Sequence, residues 1–451
     1  MMGRERAWTA ARTLRGWARI WPLALVLSLP LAGCQNFLDD LLEAKTPGSV
    51  LDETLKNPNN ADLLVLSIQT DLHCAFADYT VVSGLVGDEI TWAENNSFDY
   101  DRRTYDASTG NRNYATTPCG TGAGTVGLGV YTPLSTARWS GDYAHDILSG
   151  FTDAQVTGAL RPTYLATTTI YSAYATLLLG EAMCEASVDV GPRLSRRQLW
   201  ELAEQKFTAG MAEAQTANST NLLNLARAGR ARTRLNLATN LAQYGGAVPT
   251  KGAEAVADAS LVPDGFVWNA TYATSDTRSS NKVWWWNIDQ IRASIDQPYW
   301  NLDFQGTPDP RVKLAYTGKN GFDGNTPLVQ EAKYPARDSP IPLARWAEAQ
   351  LIIAELQGGQ TAVGIINVLH TRAGLPAFAS ADPTEIRNQV ITERKRELFL
   401  ESQHLNDKIR LALPFVPAAG TPYKLTGGGT YGSATCFPYP DEERFNNPNG
   451  S

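Results

Sequence analysis

Apolar side chains recur at helical spacing in several separated stretches of this chain and lose that period between them. Leu63, Leu66, Thr70 and Cys74 mark one face of a helix predicted over 51–75, with N-cap candidates from Asn57 to Asn60. Ile170, Tyr174, Leu177, Leu178 and Ala182 do the same over 165–186. In 195–217, Ser195 stands as an N-cap before an apolar stripe of Leu199, Leu202, Ala203, Phe207, Met211 and Ala214. Further helices fit 222–244 and 252–259, then 342–356 with Leu343, Trp346, Ala347, Leu351 and Ala354 on one face, then 362–372 and 383–411. The period fades over 92–142, which is rich in Gly, Asn, Asp, Thr and Tyr, and again over 262–335, where prolines, Gly turns and aromatic residues gather. The tail from Pro414 is also loop-like.

This pattern predicts a mainly α fold, built as a tetratricopeptide-like scaffold of antiparallel helix pairs of about 30 to 45 residues each. The helices of 51–91, 160–260 and 340–411 form the predicted scaffold, interrupted by the long irregular segments 92–142 and 262–335. With the tail 412–451 they make one domain over 51–451.

The first residues follow a different logic. Arg4, Arg6, Arg12, Arg15 and Arg19 precede an apolar run over 21–31, too short to span a bilayer comfortably, and Leu31-Ala32-Gly33-Cys34 closes it. That is a bacterial lipoprotein leader. It predicts a signal peptide over 1–33, lipidation of Cys34, and a tether over 34–50 carrying Asp39, Asp40 and Glu43. Acyl chains anchor at about 0.8 kcal/mol per buried CH₂. Losing the leader, with its five Arg and one Glu, takes the net charge from −7 to about −11, which argues against nucleic acid as a partner. Cys74, Cys119, Cys184 and Cys436 then remain, an even set that permits two disulfides in an oxidising compartment. Spacing alone leaves three pairings open; Cys74–Cys119 is favoured because its loop would pin the irregular 92–118 stretch.

Candidate chemistry points to binding rather than catalysis. His73, His145, His370 and His404 are scattered, without metal-ligand spacing, so neither metal nor cofactor is expected. Gly122-Ala123-Gly124-Thr125-Val126-Gly127 lies in a polar Gly/Thr tract rather than after a strand, and reads as a loop. Asp88 and Glu89 are adjacent, which points their carboxylates apart rather than across one glycosidic bond. Glu393, Glu397 and Glu401 share a helix face at four-residue spacing and need cations, for which Arg345, Arg372 and Arg410 are candidates; this set reads as a charge lock within the helical stack. The aromatic residues are the better lead. Sugar rings stack on indole and phenol faces while nearby polar groups take their hydroxyls. Trp92, Asn95 and Tyr100 have that composition, and so do Trp284, Trp285, Trp286, Tyr299 and Trp300. They form the predicted ligand site, with no catalytic residue assigned.

Several segments, in order, resemble the SusD/RagB family of outer-membrane nutrient-binding lipoproteins. They are Cys34-Gln35-Asn36-Phe37-Leu38-Asp39 with Pro47, the helix of 342–355, Ile366-Asn367 through Arg372-Ala373-Gly374-Leu375-Pro376, and 391–401 around Glu393-Arg394-Lys395-Arg396-Glu397. The terminal Phe437-Pro438-Tyr439-Pro440 and Asn447-Pro448-Asn449 complete the series. Gln403-His404-Leu405-Asn406-Asp407 departs from the family pattern by lacking an Arg, and Tyr439 stands where Ile is common. The resemblance implies a helical scaffold of four tetratricopeptide-like units, with the segments 92–142 and 262–335 packed over it and facing the ligand. It also implies a surface-exposed, lipid-anchored outer-membrane protein that binds nutrient oligosaccharides and delivers them to a SusC-like TonB-dependent barrel. An oligopeptide ligand is the alternative within the family; a secreted glycoside hydrolase and a structural tetratricopeptide lipoprotein of the envelope are the alternatives outside it.

Overall fold

Successive helices pack side by side. They are α1 (Ala61–Val86), α2 (Tyr131–Ser149), α3 (Arg161–Ala182), α4 (Arg196–Thr216), α5 (Thr220–Thr239), α6 (Lys251–Ala259), α7 (Trp346–Gln357), α8 (Gly359–Ala373) and α9 (Pro383–Glu397), each against the next in line. A computed structural model describes residues 52–95, 101, 103, 113–120, 128–426 and 428–450. The leader, Cys34, the tether, Tyr100 and the Gly122–Gly127 tract lie outside the described residues. The fold is mainly α, as the apolar periodicity predicts.

Helix boundaries follow local chemistry. Ser195 caps α4 through a capping box, its hydroxyl taking the Gln198 amide while the Gln198 side chain accepts from the Ser195 N–H at 2.9 Å. Close helix crossings need glycine at two places. A Cβ on Gly229 would stand 2.3 Å from the Phe207 ring, and one on Gly141 would stand 2.4 Å from the Ile68 side chain. Gly141 lies in α2, a 19-residue helix that corrects the expectation of loop up to residue 142. Pro133, Gly141 and a run of Ser and Thr blur its apolar period, but Leu134, Ala137, Ala144 and Leu148 still face the core.

The helix predicted over 383–411 is broken. After α9 the chain turns through Leu400 and Ser402, both at positive φ, before α10 (His404–Arg410). The turn is fixed by the Leu400 N–H donating to Glu89 Oε1 at 3.1 Å and by the Tyr334 hydroxyl donating to the Leu400 carbonyl at 3.0 Å. The 262–335 segment is more regular than expected. Strand β1 (Ile90–Trp92) pairs antiparallel with Ala293–Ile295, Val267–Ala270 pairs with Ile341–Arg345, and Leu314–Asn320 forms a hairpin with Pro327–Glu331.

The charge lock on α9 is real, but its partners differ from those expected. Arg345 reaches both Glu397 and Glu401 at 2.7 and 2.8 Å. Arg372 instead pairs with Asp264 at the surface, and Arg410 with Glu355 and Asp407. The remaining cations come from the aromatic segment: Arg311 bonds Glu393 and Glu397, and Lys333 bonds Glu401 at 2.6 Å. Spacing on one helix cannot identify partners some eighty residues away.

Both disulfides form: Cys74–Cys119, as favoured from loop closure, and Cys184–Cys436. The second returns the tail to the end of α3, where the Phe437 N–H donates to the Ala182 carbonyl and the Cys184 N–H to the Phe437 carbonyl. Tyr439 bonds Ser187 at 2.7 Å, and the Asn447 and Asn449 amides donate to the Gly191 and Val190 carbonyls at 2.9 and 2.7 Å.

Two sets of buried carboxyls oppose each other in pH. Burial raises Asp78, Glu331 and Glu348 to about 7, so the native state favours their protonated forms. Their contribution is complete below the ordinary carboxylate range and is lost as pH rises through about 7. Burial also pushes up on Asp88, Glu393, Glu401 and Asp407, but cationic partners outweigh it and leave them below their ordinary values. Their contribution is present above that range and is lost on acidification. Unfolding midpoints measured across pH are therefore expected to peak near the ordinary carboxylate range, at about pH 4 to 5, where both contributions are present. A peak above pH 8 would contradict these assignments.

Candidate functional site

Most of the predicted aromatic residues turn inward. Trp92 on β1 is 1% exposed and packs against Trp286, itself 4% exposed, with ring centroids 5.1 Å apart. Tyr299 is fully buried; its hydroxyl donates to Glu89 Oε1 at 3.3 Å, and its ring lies against Phe399 and His404. A ring with no free face cannot stack on a sugar, so these three are core residues and are removed from the ligand site. Trp284 and Trp285 are half-buried. They lie at the junction of a helical turn capped by Asn281 and a wider turn over Trp285–Asp289, and the Arg337 guanidinium sits 4.8 Å from the Trp285 ring. Asn95 is exposed but lines none of the cavities found among the described residues.

Trp300 is the predicted residue that does line a cavity. Its indole N–H donates to the Ile295 carbonyl at 2.8 Å, and its ring meets Tyr316 edge-on at 6.1 Å. That hydrogen bond and the adjoining strand pair fix the ring, which is half-buried. The cavity it borders holds about 280 Å³. Asp296, Gln297 and Pro298 form one side with Trp300; Asn325, Thr326 and Pro327 come from the tip of the 314–331 hairpin. Val416, Pro417, Lys424, Leu425 and Tyr431 close it from the tail, with Thr91 of β1 below.

The polar groups here are of two kinds. The Asp296 carboxylate accepts the Gln297 N–H at 2.7 Å; burial, reinforced by nearby Asp88 and Asp101, raises it to about 6. Asp296, Gln297 and Asn325 can exchange hydrogen bonds with a hydroxylated ligand. Lys424 is already committed, its Nζ donating to Thr91 Oγ1 at 2.7 Å and to the Trp92 carbonyl, with Asp101 at 3.5 Å. Burial raises Asp101 as well, and the carboxylate also accepts the Tyr423 hydroxyl at 3.1 Å.

Two other hollows lack this combination. A groove of about 230 Å³ contains Trp346, but the Arg372 guanidinium covers that ring at 4.0 Å, and its Arg311 and Arg345 are bound to carboxylates. A larger hollow of about 580 Å³ at the end of α7 is lined by aliphatic residues, Glu355, Arg387 and Arg410, without an aromatic ring. Among the described residues, no cluster of His, Cys, Asp and Glu could hold a metal ion, and no helix is long and apolar enough to cross a membrane.

Comparison with known proteins agrees with this architecture. The SusD family model matches residues 328–446. No curated protein matches the chain. A SusD homolog from Bacteroides thetaiotaomicron shares the fold with a TM-score of 0.63 at 14% identity, over 87% of this chain and 97% of that one. A SusD-like carbohydrate binding protein from Bacteroides vulgatus gives 0.52 at 14% identity, over 85% and 91%. Surface glycan-binding protein A from Bacteroides thetaiotaomicron, solved in complex with laminarihexaose, gives 0.59 at 12% identity, over 86% and 98%. The chain is thus similar to the SusD family over the stretch from α7 to the tail, and it shares its fold with SusD-like structures along most of its length.

Proposed function

We propose that this protein is a glycan-binding lipoprotein of the bacterial cell envelope, and that the cavity beside Trp300 is its ligand site. The observation that carries this reading is the cavity's chemistry. A half-buried indole borders it, and Asp296, Gln297 and Asn325 ring it with acceptors and donors suited to sugar hydroxyls. Two structural relatives support a carbohydrate ligand: one is a SusD-like carbohydrate binding protein and the other was solved in complex with laminarihexaose. The leader ending at Cys34 supports export and anchoring by a lipid at the outer membrane. By family resemblance the captured oligosaccharide passes to a SusC-like TonB-dependent barrel, which makes the protein a binder and not an enzyme.

The test is calorimetric titration with a panel of oligosaccharides, laminarihexaose among them, on the wild type and on Trp300→Ala. Removal of the platform is expected to weaken binding about tenfold to a hundredfold. An affinity untouched by Trp300→Ala would move the site elsewhere.

A further inference from the structure

The cavity's outer wall is built unlike the rest of the molecule. Residues 414–435 leave α10 and return at Cys436, where the disulfide to Cys184 fixes them. Between those points the segment folds on itself. Gly420 N–H donates to the Tyr431 carbonyl, Tyr431 N–H to Thr421, and Tyr423 N–H to Gly429, at 2.8 to 2.9 Å. Among the described residues, its main-chain to main-chain bonds stay inside the segment. Its ties to the body run through side chains. Val416 N–H donates to Asp88 Oδ2 at 2.8 Å; the Arg103 guanidinium donates to the Pro417 carbonyl and lies over the Phe415 and Tyr431 rings. The Tyr423 hydroxyl and Lys424 both engage Asp101, which also accepts the Trp92 N–H at 3.0 Å.

We infer that residues 414–435 are a lid over the ligand cavity and that Lys424 is its latch. An ammonium has three donors, and those of Lys424 point at Thr91, Trp92 and Asp101, all on the wall opposite the lid. None is left over for a ligand, so Lys424 is a positioning residue: it sets where Tyr431, Leu425, Val416 and Pro417 stand across from Trp300. A segment held at both ends and tethered between them by side chains opens at lower free energy than one laddered by main-chain bonds. Release of the latch widens the cavity without disturbing the helical array. The lid's purpose rests on the proposed glycan site; the latch itself does not.

Amide hydrogen exchange on the full chain separates the two. In Lys424→Met, exchange across 414–435 is expected to rise on the order of tenfold while exchange in α1 stays as in the wild type, and Lys424→Arg is expected to restore most of the protection. Wild-type exchange in the Lys424→Met lid, or equal acceleration of lid and α1, would overturn the latch. The second arm adds laminarihexaose and a panel of other hexasaccharides to the wild type. A bound glycan that slows lid exchange supports the lid, and one that binds without slowing it overturns the lid. Failure of every glycan to bind sinks the ligand reading and leaves the latch to be judged on the first arm alone.

Discussion

Replacing Asp407 with Asn is expected to lower the free energy of unfolding by about 3 to 5 kcal/mol, the cost of uncovering paired charges inside a protein. Asp407 joins α9 to α10. Arg394 grips it through Nε and Nη2 at 2.8 and 2.9 Å, and Arg410 through the same two atoms at 3.0 and 2.7 Å. All three side chains are almost fully buried. Without the carboxylate, two guanidinium groups share Glu355 alone, and α10 loses the contact that docks it. The effect carries a pH signature. Burial raises this carboxyl and the two arginines more than reverse it, so its contribution holds at neutral pH and fades as acid approaches its depressed folded value. The stability difference between wild type and Asp407→Asn therefore shrinks in strong acid. Chemical denaturation at several pH values measures both; a loss below about 1 kcal/mol at pH 7 would contradict the assignment.

Trp92→Ala should cost a similar amount for a different reason. Its indole is 1% exposed and fills the space between β1 and Trp286, so truncation opens a cavity worth about 3 to 5 kcal/mol. Trp300→Ala, at a half-buried ring, should cost clearly less stability while weakening glycan binding. Thermal melts of the two variants side by side test the division between core and platform. Comparable destabilisation by both would mean that Trp300 is a core residue as well.

How much of this was legible in the sequence depends on the range of the signal. Helix periodicity is local, and it placed α3 to α8 within a few residues. It failed where local chemistry was mixed: in α2, whose glycine and hydroxyl residues serve helix crossings, and between α9 and α10, where two positive-φ residues break a continuous polar-apolar pattern. For the proposed site, aromatic density was a poor guide to orientation. Trp92 and Tyr299 belong to the same composition as Trp300, yet strand pairing and the Glu89 hydrogen bond send them inward. The opposite wall had no detectable signal. Lys424 and Tyr431 lie in a Gly-rich stretch more than a hundred residues from Trp300, and only the tertiary fold brings them across from it. Asp407 shows the same limit, since it stands in the stretch that departs from the family pattern and finds its arginines on α9 and farther along its own helix.

The returning tail changes what kind of object the helical array is. A linear stack of helix pairs has two ends, and each end can fray without consulting the other. Here the final residues are sewn to the end of α3 and to the turn that follows it, both by Cys184–Cys436 and by the Phe437, Tyr439 and Asn447 bonds. The far half of the array is thereby tied to its middle, and the stack becomes a closed circuit. Melting of α9 and α10 pulls on α3, so the body behaves as one cooperative unit.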